Sequence, residues 1–214
     1  MTPAARIGLL ASLLLLGLLA IRGGQGPQSP PTASAFASPT AESRARGLRF
    51  EGVTPGDQQA VLAAIGRSRP EAQRLFDAVS GLIVVRVGPL GRGEAGSSTS
   101  SSAGYDVQLD VAGVTAALGA RGVERLVLHE LGHVVDAALV PDALKTSLDA
   151  GIPAGYGCED GVTGSCAIRE ERFAESFAKW AMDDIGLNLD LGYKVLPPAQ
   201  PLAVWGAPLA ALGG

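Results

Sequence analysis

The order of apolar and polar positions divides the chain into readable segments. "LRFEGV" (48–53) predicts a short first strand. Pro55 opens a helical pattern with Val61, Leu62 and Ile65 on one side, ending near Gly66. "RPEAQRLFDAVSG" predicts a second helix, with Pro70 at its start and Gly81 as its stop. "LIVVRV" (82–87), β-branched and bounded by glycines, predicts a strand. "GPLGRGEAGSSTSSSAG" (88–104) is low-complexity and reads as a mobile loop. "YDVQLDV" (105–111) alternates as an edge or half-buried strand does. An amphipathic helix follows over about 123–139, closed by Pro141. Residues 142–165 read as irregular, a second strong helix spans about 167–185, and Gly186 stops it. The proline-bearing segment 187–214 carries no assignable pattern. This order predicts an α+β domain with a small sheet packed on helix 123–139 and a cleft between that helix and helix 167–185.

The N-terminus has a different pattern. Residues 7–21 are an apolar run flanked by Arg6 and Arg22, which reads as an export signal. As a helix it would be roughly 22 Å long, short against a hydrocarbon core of about 30 Å, and that favours a cleavable signal peptide. Small-x-small sites such as Ala33-Ser34-Ala35 lie well beyond the run, which favours an uncleaved signal anchor instead. Residues 23–46 are rich in Gly, Pro, Ser and Ala and read as a flexible linker. The expected organisation is a signal peptide or anchor over 1–22, the linker over 23–46, one folded domain over 47–196 and a Pro-rich tail over 197–214. The folded part is expected outside the cytoplasm, secreted or tethered through residues 7–21.

Composition narrows the function classes. Of 214 residues, 47% are hydrophobic, enough for a core, and the net charge of −4 argues against nucleic acid as a partner.

The candidate chemistry lies in "VLHELGHVVD" (127–136), which contains both histidines of the chain. His129 and His133 are four residues apart, one helical turn, and so share a face. H-E-x-x-H on a helix is the zinc-peptidase signature: two imidazoles bind the metal, and Glu130 is the candidate general base. A chance match is disfavoured because a His-poor chain places both histidines in the motif, within an amphipathic helix. Catalytic zinc takes three protein ligands and keeps one position open. With no third histidine, the remaining ligand is a carboxylate or, less favoured, a cysteine. The downstream Gly and third ligand of the metzincin extension are absent. Helix 167–185 offers Glu170, Glu171 and Glu175, and periodicity alone does not choose among them.

"HELGHVVD", then "YG", then "EERFAESFA" resembles the catalytic domain of the anthrax-toxin lethal-factor-like metallopeptidases, which carry H-E-x-x-H-x-x-D, Tyr-Gly and E-x-F-A-E-x-F in that order. The resemblance covers about residues 122–181. It implies a zincin-like fold, with Glu171 as third zinc ligand and Glu175 supporting the site one turn on. It also implies that Asp136 orients a ligand or the helix pair, and that Tyr156 donates its hydroxyl to the oxyanion. "CEDGVTGSCAIRE" between Tyr156 and Glu171 departs from the family as a longer insert. An edge strand that pairs with the substrate backbone is also implied, and "YDVQLDV" is its candidate by position. In an exported chain the two cysteines of the insert, Cys158 and Cys166, pair by default.

These readings converge on an exported zinc metallopeptidase acting on a peptide or protein. The alternatives are a non-catalytic, zinc-stabilised binding module and a cell-wall amide hydrolase using the same site.

Overall fold

The computed structural model describes residues 47–91, 94–153, 167–186 and 195–212. The expected signal and linker (1–46), Tyr156, Cys158 and Cys166 lie outside the described residues. Among the described residues, no helix is long and apolar enough to cross a membrane.

The chain is α+β. Four strands, β1 (Arg49–Phe50), β2 (Ile83–Val87), β3 (Gly96–Ser101) and β4 (Gly104–Leu109), form one sheet in the order β1-β2-β4-β3. β1, β2 and β4 run parallel, and β3 returns antiparallel to β4. Ile83 and Val85 of β2 and Val107 and Leu109 of β4 are buried in the core. Their period-2 spacing puts them on one face of the sheet. Across the other face, Arg86 pairs with Glu51 and Asp106.

Helices α1 (Pro55–Arg67) and α2 (Pro70–Val79) begin where their prolines predict. Thr54 caps α1 by accepting from the Asp57 amide at 3.2 Å. The central helix α3 (Val111–Leu139) contacts α1, α2, β3, β4 and the later helix α5 (Arg169–Met182). A short α4 (Asp142–Ala150) follows α3, and α6 (Leu202–Trp205) and α7 (Ala207–Leu212) occupy the C-terminal segment. α5 brings Phe173, Phe177 and Trp180 into the core, with Phe177 edge-on to Phe76 of α2 at 5.7 Å between ring centroids.

Four expectations are corrected. The low-complexity stretch 88–104 contains β3, a six-residue strand in register with β4. "YDVQLDV" is therefore not an edge: its strand part lies between β2 and β3, and the edge strands are β1 and β3. The motif helix starts at Val111, not near 123. Asp110 caps it by accepting from the Gly113 amide at 2.8 Å, and Gly119, at φ 69°, kinks it into two segments. Finally, helices are present where 142–165 and 187–214 were given no pattern. Trp205 and Leu209 are buried in the same core as α5, and Trp205 Nε1 donates to the Leu148 carbonyl at 3.1 Å.

Candidate metal centre

The second half of α3 is buried on nearly every side, so its polar residues need partners within the protein. Most of these partners come from α5, and that of Glu130 from β3. Gly132, between the two histidines, makes the close crossing possible, since a Cβ there would lie 3.1 Å from the Phe177 ring and 3.2 Å from Ala174 Cα. That approach sets the first turn of α5 against the histidine face of α3.

His129, His133 and Glu171 meet there, with ligand atoms all within 4.8 Å of one another. His129 Nε2 lies 3.1 Å from Glu171 Oε2, and His133 Nε2 lies 3.5 Å from Glu171 Oε1. Donors arranged tetrahedrally at about 2.1 Å from one ion stand about 3.4 Å apart, so the group is of a type that could hold a metal ion such as zinc after its side chains draw somewhat closer. Glu170, the neighbouring candidate, pairs with Arg169 and lies outside this group. Ile168, which the helical period places on the packed side, is 61% exposed.

Glu175 lies one turn behind Glu171, with Oε2 3.3 Å from His129 Nδ1. When His129 is neutral, a proton on Nδ1 bonded to this carboxylate leaves the Nε2 lone pair directed into the ligand group. Asp136 accepts from both terminal nitrogens of Arg169, one at 3.0 Å, and so joins the end of α3 to the start of α5.

Glu130 is buried, and β3 surrounds it. The Ser98 hydroxyl lies 3.0 Å from Glu130 Oε2 and 2.9 Å from the Glu130 carbonyl. A Cβ at Gly96 would come within 2.4 Å of Glu130 Oε1, so only glycine leaves room for this carboxylate. A cleft of about 500 Å³ opens over the site, lined by Gly96, Ser98 and Tyr105 on the sheet side and by His129, His133 and Glu171 on the helix side.

The electrostatics follow from burial and pairing. Burial opposes charge on His129, yet its bonds to Glu171 and Glu175 prevail and raise its pKa to about 10. Burial likewise opposes charge on Glu171 and Glu175. The bonds of Glu171 to both histidines, and of Glu175 to His129 and Arg125, bring each down to about 2. Glu130 moves the other way: burial raises it, only partly offset by His129, His133 and Ser98. A raised carboxyl is better matched to taking a proton near neutrality. Metal ligation requires a neutral imidazole, so metal and proton compete for His129.

None of the known protein families, characterised proteins or solved structures matches this chain.

Ser98, Gly96, Arg125 and Lys179 were not singled out from the sequence. Arg125 and Lys179 carried a signal nonetheless. Arg125 precedes His129 by four residues and Lys179 follows Glu175 by four, charged positions on faces that the helical period assigns to the α3–α5 contact. Ser98 carried none, because its strand is composed of Ser, Thr and Gly.

Proposed function

We propose that this protein is an exported zinc-dependent metallopeptidase with a zincin-like fold, of the kind its motifs resemble. The observation that supports it best is the ligand group of His129, His133 and Glu171 beside buried Glu130, at the floor of an open cleft. Zinc in that group supplies Lewis acidity, polarising a carbonyl and making water a competent nucleophile near neutral pH.

The chain's own residues supply the rest. Glu130 accepts the proton of the attacking water and returns it to the leaving amine. Ser98 and the space at Gly96 hold its carboxylate against β3. Among the described residues β3 is an edge strand along the cleft, so an extended peptide adds to it as a further strand, bound through its backbone with little reading of sequence. Its antiparallel run beside the site suits it to this role, for which the resemblance and position along the chain had pointed to β4. By the resemblance, Tyr156 donates to the oxyanion; by its apolar pattern, the segment 7–21 directs export or tethers the chain.

A structural zinc site is closed by four protein ligands, whereas three gather here among the described residues, facing open space. The test uses the zinc-loaded full chain on a mixture of unstructured peptides, read by mass spectrometry. Cleavage is expected, and Glu130→Gln should retain zinc while turnover falls by about 10²–10⁴. Zinc retained with no cleavage by the unmodified chain would favour the binding-module reading.

A further inference from the structure

Glu175 divides its two oxygens between different partners. Oε1 accepts from Arg125 Nη2 at 2.6 Å and from Nε at 3.2 Å, and Lys179 Nζ lies 3.3 Å from the same oxygen. Oε2 is left facing His129 Nδ1. The two cations are 0% and 3% exposed. Buried charges of this kind persist only when their remaining donors are also satisfied. Here the extra acceptors are backbone carbonyls C-terminal to α5. Arg125 Nη1 donates to Asp184 O at 3.4 Å, and Lys179 Nζ donates to Val195 O at 2.5 Å.

These contacts form a closed circuit across two helices. Arg125 is one turn before His129 on α3, and Lys179 is one turn after Glu175 on α5. A carboxylate held at one oxygen by a single cation can still rotate and exchange oxygens. Held at Oε1 from both helices, it presents only Oε2 to the imidazole.

We propose that Arg125 and Lys179 are positioning residues of the metal centre, seated on the carbonyls of Asp184 and Val195, and that they hold Glu175 so that Oε2 is committed to His129 Nδ1. This rests on the metal site proposed above and extends it to four groups outside the ligand set. The C-terminal segment thereby supports metal affinity: the Val195 carbonyl holds Lys179, and Lys179 helps fix the carboxylate that orients a ligand.

The sign of the effect separates positioning from simple charge. Removing a cation beside a divalent-metal site weakens Coulomb repulsion and, on that ground alone, should tighten metal binding. Loss of positioning should weaken it, typically by about 10–100-fold when a ligand's supporting partner is removed. The experiment measures zinc affinity of the full chain by competition with a chromophoric chelator, together with the visible absorption of the Co²⁺-loaded form and urea unfolding of the metal-free form. Lys179→Met keeps the apolar stem and leaves Glu175 paired with Arg125, so the metal-free unfolding midpoint should stay close to that of the unmodified chain. Zinc affinity should fall about tenfold or more with an altered Co²⁺ band. Arg125→Met should fall further, with partial recovery in Arg125→Lys. Lys179→Gln, which keeps a donor for the Val195 carbonyl, decides the question if the Met variant loses its fold. Unchanged or tighter zinc binding in folded Lys179 variants would overturn the positioning role while leaving the metal site intact. If the unmodified chain binds no zinc, the metal site falls and this role falls with it.

Discussion

Glu171 and Glu175 lie one helical turn apart on α5, and each lies within hydrogen-bond distance of a ring nitrogen of His129, yet their surroundings differ. Glu171 is partly open to the cleft and touches both histidines, without an Arg or Lys partner in the described ion pairs. Glu175 is enclosed, touches only Nδ1 of His129, and is held by two buried cations. Both carboxyls are lowered to about 2 against the cost of burial, Glu171 by its bonds to both imidazoles and Glu175 by its bond to His129 and then by Arg125. On the proposed reading, residue type and spacing do not distinguish the metal ligand from its support. The charges that reach the carboxylate from elsewhere do.

The largest effect that would test this contrast is on stability. Glu175→Leu leaves Arg125 and Lys179 buried without their shared counter-ion, and should cost about 3–5 kcal/mol in the metal-free protein, read by urea unfolding. Glu171→Leu, which leaves His129 its contact with Glu175 and strands no buried Arg or Lys, should cost less in the same measurement. Equal losses in the two variants would erase the distinction.

A second effect is on pH. His129 is raised to about 10 in the folded metal-free protein, so its contribution to stability is complete below its unfolded value of 6.5 and is lost as pH rises through 10. Glu171 and Glu175 are lowered to about 2, so theirs is present above 4.5 and is lost as pH falls towards 2. Metal-free stability should therefore be greatest between about pH 4.5 and 6.5. Zinc must displace the His129 proton, so its binding should tighten from pH 6 to 9 with proton release. Calorimetry in buffers of different ionisation enthalpy measures that release, and zinc binding independent of pH over this range would contradict it.

The smallest effect concerns Glu130, which is buried and has no Arg or Lys partner among the described ion pairs. Ser98→Ala removes one hydrogen bond and should lower stability by about 1 kcal/mol with zinc content unchanged.

The helix pair that carries the site was legible from the sequence, and much of what surrounds it was not. The α5 pattern Phe173, Phe177 with Ala174, Ala178 repeats at helical spacing, and H-E-x-x-H is read from residue type alone. β3 escaped because it is built of Gly, Ser and Thr, half-buried over Gly96–Ser98 and exposed over Thr99–Ser101, so no apolar residue marks an alternation. Gly113 and Gly119 concealed the first turns of α3: one sits within reach of the Asp110 cap and the other forms the kink. The C-terminal helices rest on two anchors, Trp205 and Leu209, too few for a periodic signal. Glu171 was reached through the resemblance, whereas periodicity left three glutamates open. The α3–α5 packing places Glu171, and not Glu170, with the two histidines.

The central claim is that His129, His133 and Glu171 hold one zinc ion. The most direct measurement is zinc per chain in the purified full chain after metal is supplied and excess removed, with Glu171→Ala alongside. The account predicts about one zinc per chain, lost or strongly reduced in the variant, because a catalytic site has three protein ligands and this removes one. An unmodified chain that retains no zinc, or a variant that retains it fully, would contradict the assignment.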